Sequence, residues 1–228
     1  MSRISSRLVA SILLATGLIT AAGAASSEGM TPEAGLAFTR ALAGTLRVEP
    51  STVSSDGVLE LCELEFKAIR RDTNASAETY VLLDGQFNIR FSEKDGITYS
   101  VALGLKDFPG GVSKAHIRPA NVFVRAPNGK VAKNSFRRDG APGFTVVGGP
   151  VVGAGQDVLS GIIESSVLEV GFNRKPGGRD VTIVLDLTVA DTDITGVMPR
   201  RKHRAAQVSE FGTCALRLAE ESLETLRK

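Results

Sequence analysis

The chain has 228 residues, 43% hydrophobic and 23% charged, which is apolar enough for a sizeable core and too apolar for a disordered chain. Its 27 basic and 25 acidic residues give a formal charge of +2 that falls to zero if Arg3 and Arg7 leave with an N-terminal leader, so no global basic field points to nucleic acid. Trp is absent and the two Tyr and ten Phe are scattered, so no aromatic platform for stacking bases shows.

The first 25 residues read as an address. Residues 1–7 carry two arginines and no acid, residues 8–19 (LVASILLATGLI) are apolar, and residues 21–25 (AAGAA) are small. These are the charged, apolar and cleavage regions of a secretory signal peptide. Cleavage after Ala24 or Ala25 predicts an exported mature chain, periplasmic in a Gram-negative bacterium and secreted otherwise. An uncleaved anchor is the alternative, because the apolar run approaches the lower limit for a spanning helix. No second run of that length follows, so no transmembrane segment is expected after cleavage. No Cys ends the apolar run to take a lipid.

Residues 26–56 are expected to form a short helix and a polar linker. Thr31-Pro32-Glu33 supplies an N-cap, a proline at the first helical position and an acid in the first turn. Ala34, Phe38, Ala41 and Leu42 share a face, and Gly44 marks the stop. Residues 51–57 (STVSSDG) read as a polar breaker before the main body.

Residues 57–228 then form a single β-rich domain with a C-terminal helix. Cys62, Leu64, Phe66 and Ala68 alternate with Glu63, Glu65 and Lys67. Val81, Leu83, Phe87, Ile89 and Phe91 do the same, as do Ile97, Tyr99, Val101, Leu103 and Leu105 after an Asp95-Gly96 turn. A period of two with one apolar face is a half-buried strand. Weaker strands are expected at 121–125 and 131–136, joined through Pro127-Asn128-Gly129. Leu168, Val170 and Phe172 enter a Pro176-Gly177 turn, and Val181, Ile183, Leu185, Leu187 and Val189 return.

Residues 151–161 (VVGAGQDVLSG) begin like a dinucleotide-binding turn. Val158 stands where the third glycine belongs, and the surroundings are all-β, so the segment is expected to be a Gly-rich connection or a bulged strand, with no cofactor. The run Arg200, Arg201, Lys202 and Arg204 is expected to be an exposed mobile linker, because four neighbouring cations repel. The alternative is an anionic contact site. The C-terminal helix is expected to begin near Ser209. Leu216, Ala219, Leu223 and Leu226 form one stripe, with Phe211, Ala215 and Leu218 beside it.

The two cysteines, Cys62 and Cys214, are expected to pair and pin that helix onto the sheet, since an isolated pair in an oxidising compartment is most simply one disulfide. Turns recurring between short alternating strands predict a mainly β fold. The expected form is an antiparallel two-sheet sandwich with a short N-terminal helix and a C-terminal helix, and a closed β-barrel is the alternative.

Chemistry is sparse. No Gly-x-Ser-x-Gly elbow occurs, and His116 and His203 have no evident partners. Zinc needs three or four clustered N or S ligands. Asp186, Asp191 and Asp193 lack a calcium-loop spacing and read as a strand end or Asx turns. Asn74-Ala75-Ser76 matches a glycosylation acceptor. No catalytic, cofactor or metal residue is assigned. The expectation is a non-catalytic exported binding or protein-interaction module, its partner another envelope or extracellular protein or an anionic surface. The alternatives are a structural or assembly component of the cell envelope and a carboxylate-based hydrolase.

Overall fold

The computed structural model describes residues 31–73, 78–108 and 115–226, with side chains up to residue 224. The leader 1–25 and the sequence Asn74-Ala75-Ser76 lie outside them. Helix α1 (Pro32–Leu42) starts as its sequence dictates: the Thr31 hydroxyl accepts from the Ala34 amide and Pro32 opens the first turn. It ends at Leu42, and Gly44 (φ +116°) turns the chain into β1 (Gly44–Ser55).

Here the expected polar linker is corrected. Residues 51–55 are the outer half of β1, pairing with β2 (Val58–Arg71) through Thr52↔Cys62 and Val53↔Leu61, and Asp56-Gly57 is the hairpin turn. The stretch is solvent-exposed, held by the ladder and by Ser51 donating to Glu63 (3.2 Å), and no apolar alternation marks it.

The chain continues through β3 (Tyr80–Ser92), β4 (Gly96–Phe108), β5 (Asn121–Arg125), β6 (Phe136–Asp139) and β7 (Phe144–Pro150). Helix α2 (Ala154–Ser165) precedes β8 (Val167–Asn173), β9 (Val181–Asp186), β10 (Val189–Asp193), β11 (Arg200–His203) and α3 (Ala206–Leu226). All strand pairs are antiparallel. The large sheet runs β1-β2-β3-β4-β7-β6, a second runs β5-β8-β9, and β10-β11 form a ribbon. The fold is a mainly β sandwich and does not close into a barrel.

Several boundaries differ from expectation for identifiable reasons. Val131 makes only an isolated bridge to Arg125, and the strand proper begins at Phe136. The run from Val181 to Val189 breaks after Asp186, whose Oδ1 accepts from the Thr188 amide (2.9 Å) and hydroxyl (2.7 Å) in an Asx turn. The Gly-rich segment is neither loop nor strand. It is α2, because Gly155, Val158 and Ile162 recur at helical spacing toward the core and Gly161 lets Pro127 pack against the helix. Ser209 lies inside the first turn of α3 and is not its cap.

Register defines two faces of the large sheet. Cys62↔Ile89↔Tyr99, Leu64↔Phe87↔Val101 and Phe66↔Gly85↔Leu103 form the inner rows, all buried, with the Phe66 ring filling the space a side chain at Gly85 would take. The alternate residues face outward. Strands of 13 or 14 residues are longer than the three-stranded sheet can cover, and α3 fills the remainder. Phe211 packs edge-on against Phe87, with ring centroids 6.1 Å apart, and Phe87 stacks on Tyr99 at 6.3 Å. The three-stranded sheet is fixed by Thr145 donating to Pro119 O (2.7 Å) and the Asp186 amide donating to Thr45 Oγ1 (2.8 Å). Helix α1 packs on the outward face, where Leu42, Ile69 and Tyr80 form a small separate core.

Candidate functional site

Helix α3 is fastened at three levels. At its start, buried Gln207 donates to Val48 O (2.8 Å) and Leu187 O (3.2 Å). Two turns on, Cys214 is bonded to Cys62 of β2, with Cα atoms 5.8 Å apart across 152 residues of sequence. Toward its end, Glu221 accepts from the Leu59 amide (3.1 Å) and from Arg217 (2.6 Å), which together hold its carboxyl below the usual range, the Arg217 bond foremost. The buried residues of α3 are Gln207, Val208, Phe211, Cys214, Ala215, Leu218 and Ser222.

That buried set corrects the expected stripe. Leu216 is 63% exposed and Leu223 55%, whereas Phe211, Ala215 and Leu218, expected as flanking residues, are the core. The side chain of Leu226 lies outside the described ones. The line Gly212-Leu216-Ala219-Leu223-Leu226 nevertheless keeps a strict 4-3-4-3 spacing, the periodicity of an apolar seam along a helix. Ile163 of α2, 49% exposed, extends this seam: a Cβ on Gly212 would lie 3.7 Å from its Cγ1. Around the helix, the seam adjoins the core on one side and Glu220 and Glu224 on the other. No ion pair reaches either acid among the described residues, while Arg217 is taken by Glu221.

The basic run is not a mobile linker. Arg200 to His203 form β11, where Asp193 stands opposite Arg200 and Asp191 opposite Lys202. These cross-strand acids supply what repulsion within the run takes away. Two hydrogen bonds from Thr195, and then Lys202 and Arg200, hold the Asp193 carboxyl below its usual range. Arg201 turns inward and donates to Leu42 O, Ala43 O and Thr45 O (3.1, 2.9 and 2.8 Å), closing the last carbonyls of α1 and its cap and one at the start of β1. The absent side chain of Gly44 leaves room for its guanidinium. Arg204 pairs with Glu210. Each of the four cations thus faces an acid or carbonyls within the fold.

The outward face of the large sheet carries three polar rows. Ser51↔Glu63↔Asn88↔Ser100 and Glu49↔Glu65↔Gln86↔Ala102 run beside Arg47↔Lys67↔Asp84↔Gly104. Burial, and then the neighbouring Glu65 charge, push the Glu63 carboxyl up. Asn88 Oδ1 is buried without a hydrogen-bond partner among the described residues. His116, expected to lack a partner, donates from Nε2 to Asp84 Oδ2 (2.6 Å), with Lys67 and Lys106 also near that carboxylate (3.4 and 3.9 Å). Its ring lies over Gly104, where a Cβ would approach to 2.9 Å, and against Phe144. His203 Nδ1 likewise meets Thr188 Oγ1 at 2.8 Å. Asp193 forms an Asx turn with Thr195, as Asp186 does with Thr188.

Two shallow hollows of about 220 and 270 Å³ lie elsewhere. The first holds the Arg125–Glu169 ion pair (2.8 Å), and the second is lined by Asn121, Asn134, Phe136 and Arg137. No described helix is long and apolar enough to cross a membrane. Compared with known proteins, the chain matches no family model, no curated protein and no solved structure.

Sequence reasoning located the seam but assigned it to the core. The apolar arc of α3 is wide enough for two seams, and the position of Cys214 carries the missing signal. A cysteine bonded to the sheet must face it, and residues 211, 215 and 218 share its side of the helix, while 216 and 223 do not.

Proposed function

We propose that this protein is an exported, non-catalytic protein-interaction module that docks a partner along the outward seam of α3. The observation carrying this reading is the second apolar seam, Leu216 and Leu223 with Ile163 beside them, on a helix already fastened by its other face. Scattered exposed apolar residues are normal on any protein, but a line at coiled-coil spacing is a surface built for another helix. The disulfide supports export, because such bonds persist in oxidising compartments. It also supports a docking role, since a helix locked in place binds without the entropic cost of ordering it.

A photo-activatable side chain at position 216, in cells making the protein, tests the proposal. One discrete adduct is expected there, and none with the same side chain at Val184, which is comparably exposed on β9. No adduct at 216, or the same adducts at both positions, would remove the support.

A further inference from the structure

We infer that the partner segment is an amphipathic helix whose apolar stripe is flanked by lysine or arginine, an inference that rests on the docking role of α3. Three features of the seam select this occupant. Small residues, Gly212 and Ala219, alternate with Leu216 and Leu223, so a facing helix can approach closely and set its own large residues over the small ones. From residue 212 to 226 the seam runs roughly 22 Å at helical rise, four turns, which suits a helix rather than a single anchoring side chain. The free edge bears Glu220 and Glu224, both exposed, while Arg217, the one cation on that side among the described residues, is engaged 2.6 Å from Glu221. Over residues 212–224 the residual charge on the seam's edge is therefore negative, and a basic flank complements it.

A second copy of this chain fits less well. Two α3 helices crossing antiparallel at Ala219 would place Leu216 of each against Leu223 of the other. They would also bring Glu220 of both copies to the same flank, where like charges repel.

Two synthetic helical peptides of four heptads, both with Leu at the a and d positions, make the test. One carries Lys and the other Glu at the e and g positions, and self-repulsion keeps each monomeric. Fluorescence anisotropy with the oxidised protein should show the Lys peptide binding roughly tenfold more tightly, the scale of two or three exposed ion pairs. The preference should shrink in high salt. It should reverse in Glu220→Lys/Glu224→Lys, and Leu216→Ser/Leu223→Ser should lose both peptides. Equal binding of both peptides, lost only in the leucine variant, would overturn the charge inference and leave the docking role standing. Binding of neither would overturn both. A concentration-dependent dimer abolished by Leu216→Ser/Leu223→Ser would replace the basic helix with a second copy.

Discussion

The inner face of the large sheet is covered in two different ways, and the contrast explains what each cover is free to do. The three-stranded sheet covers its end as a sheet does, with Val122, Val124, Val170, Phe172, Ile183 and Leu185 buried in alternation. Arg174 ties its β8–β9 hairpin to Asp72 (2.7 Å), a carboxylate only 4% exposed, and to Asp107 (2.6 Å) at the end of β4. Helix α3 offers a single stripe to the same face and has no ladder to share. It relies on one large aromatic with Val208 and Leu218 beside it, one covalent bond and two polar anchors. A sheet spends its backbone groups on its neighbours; a helix satisfies them internally and keeps its remaining faces available for display.

The first way to break this comparison is to remove the aromatic. Phe211→Ala leaves a cavity against Phe87 under a helix with few other large contacts, and the expected loss is about 3–5 kcal/mol of unfolding free energy, read by chemical denaturation. A loss under about 1 kcal/mol would mean that α3 is not an integral part of the core.

Removing the disulfide comes next. Cys62→Ala/Cys214→Ala should cost roughly 2–5 kcal/mol and leave the strand content of the circular dichroism spectrum unchanged. Hydrogen exchange sharpens the comparison. Amides of α3 should lose protection in this variant well before those of β8, because only the helix depends on the cross-link. Equal loss in both would show that the two covers unfold as one unit.

These differences also sort what could be read from sequence. The strands β2, β3 and β4 were legible because one face meets the core and the other is more open, so the alternation is written into them. The disulfide was legible because only two cysteines exist. The outer half of β1 was not, since a strand exposed on both faces carries no pattern. Helix α2 was obscured by its glycines, and the ordered basic strand by the fact that its compensating acids, Asp191 and Asp193, sit across a turn. The polar rows of the outward face required the register, because no local spacing places Glu63 opposite Asn88.

That face gives a smaller, pH-dependent prediction. Glu63 ionises less readily folded than unfolded, so as pH rises above the ordinary carboxylate range the folded state must release a proton it holds more tightly. Stability from this residue is therefore present at lower pH and lost as pH rises through its raised value. Glu63→Gln removes the effect. Its melting temperature relative to the parent protein should climb between about pH 4 and about pH 7, and a constant difference across that range would place Glu63 in ordinary solvent.

The smallest effect is the most telling for function. Leu216 and Leu218 are two residues apart on α3, yet one is 63% exposed and the other 1%. Leu218→Ala deletes core contacts and should cost about 2–5 kcal/mol. Leu216→Ser removes a side chain that little of the fold touches and should change stability by no more than about 0.5 kcal/mol in either direction. Thermal denaturation of the two variants side by side reads the difference directly. A destabilisation by Leu216→Ser approaching that of Leu218→Ala would mean that the outward seam is part of the monomer's own core. A near-zero effect leaves a leucine at coiled-coil spacing that the fold does not need, and a partner helix would then account for it.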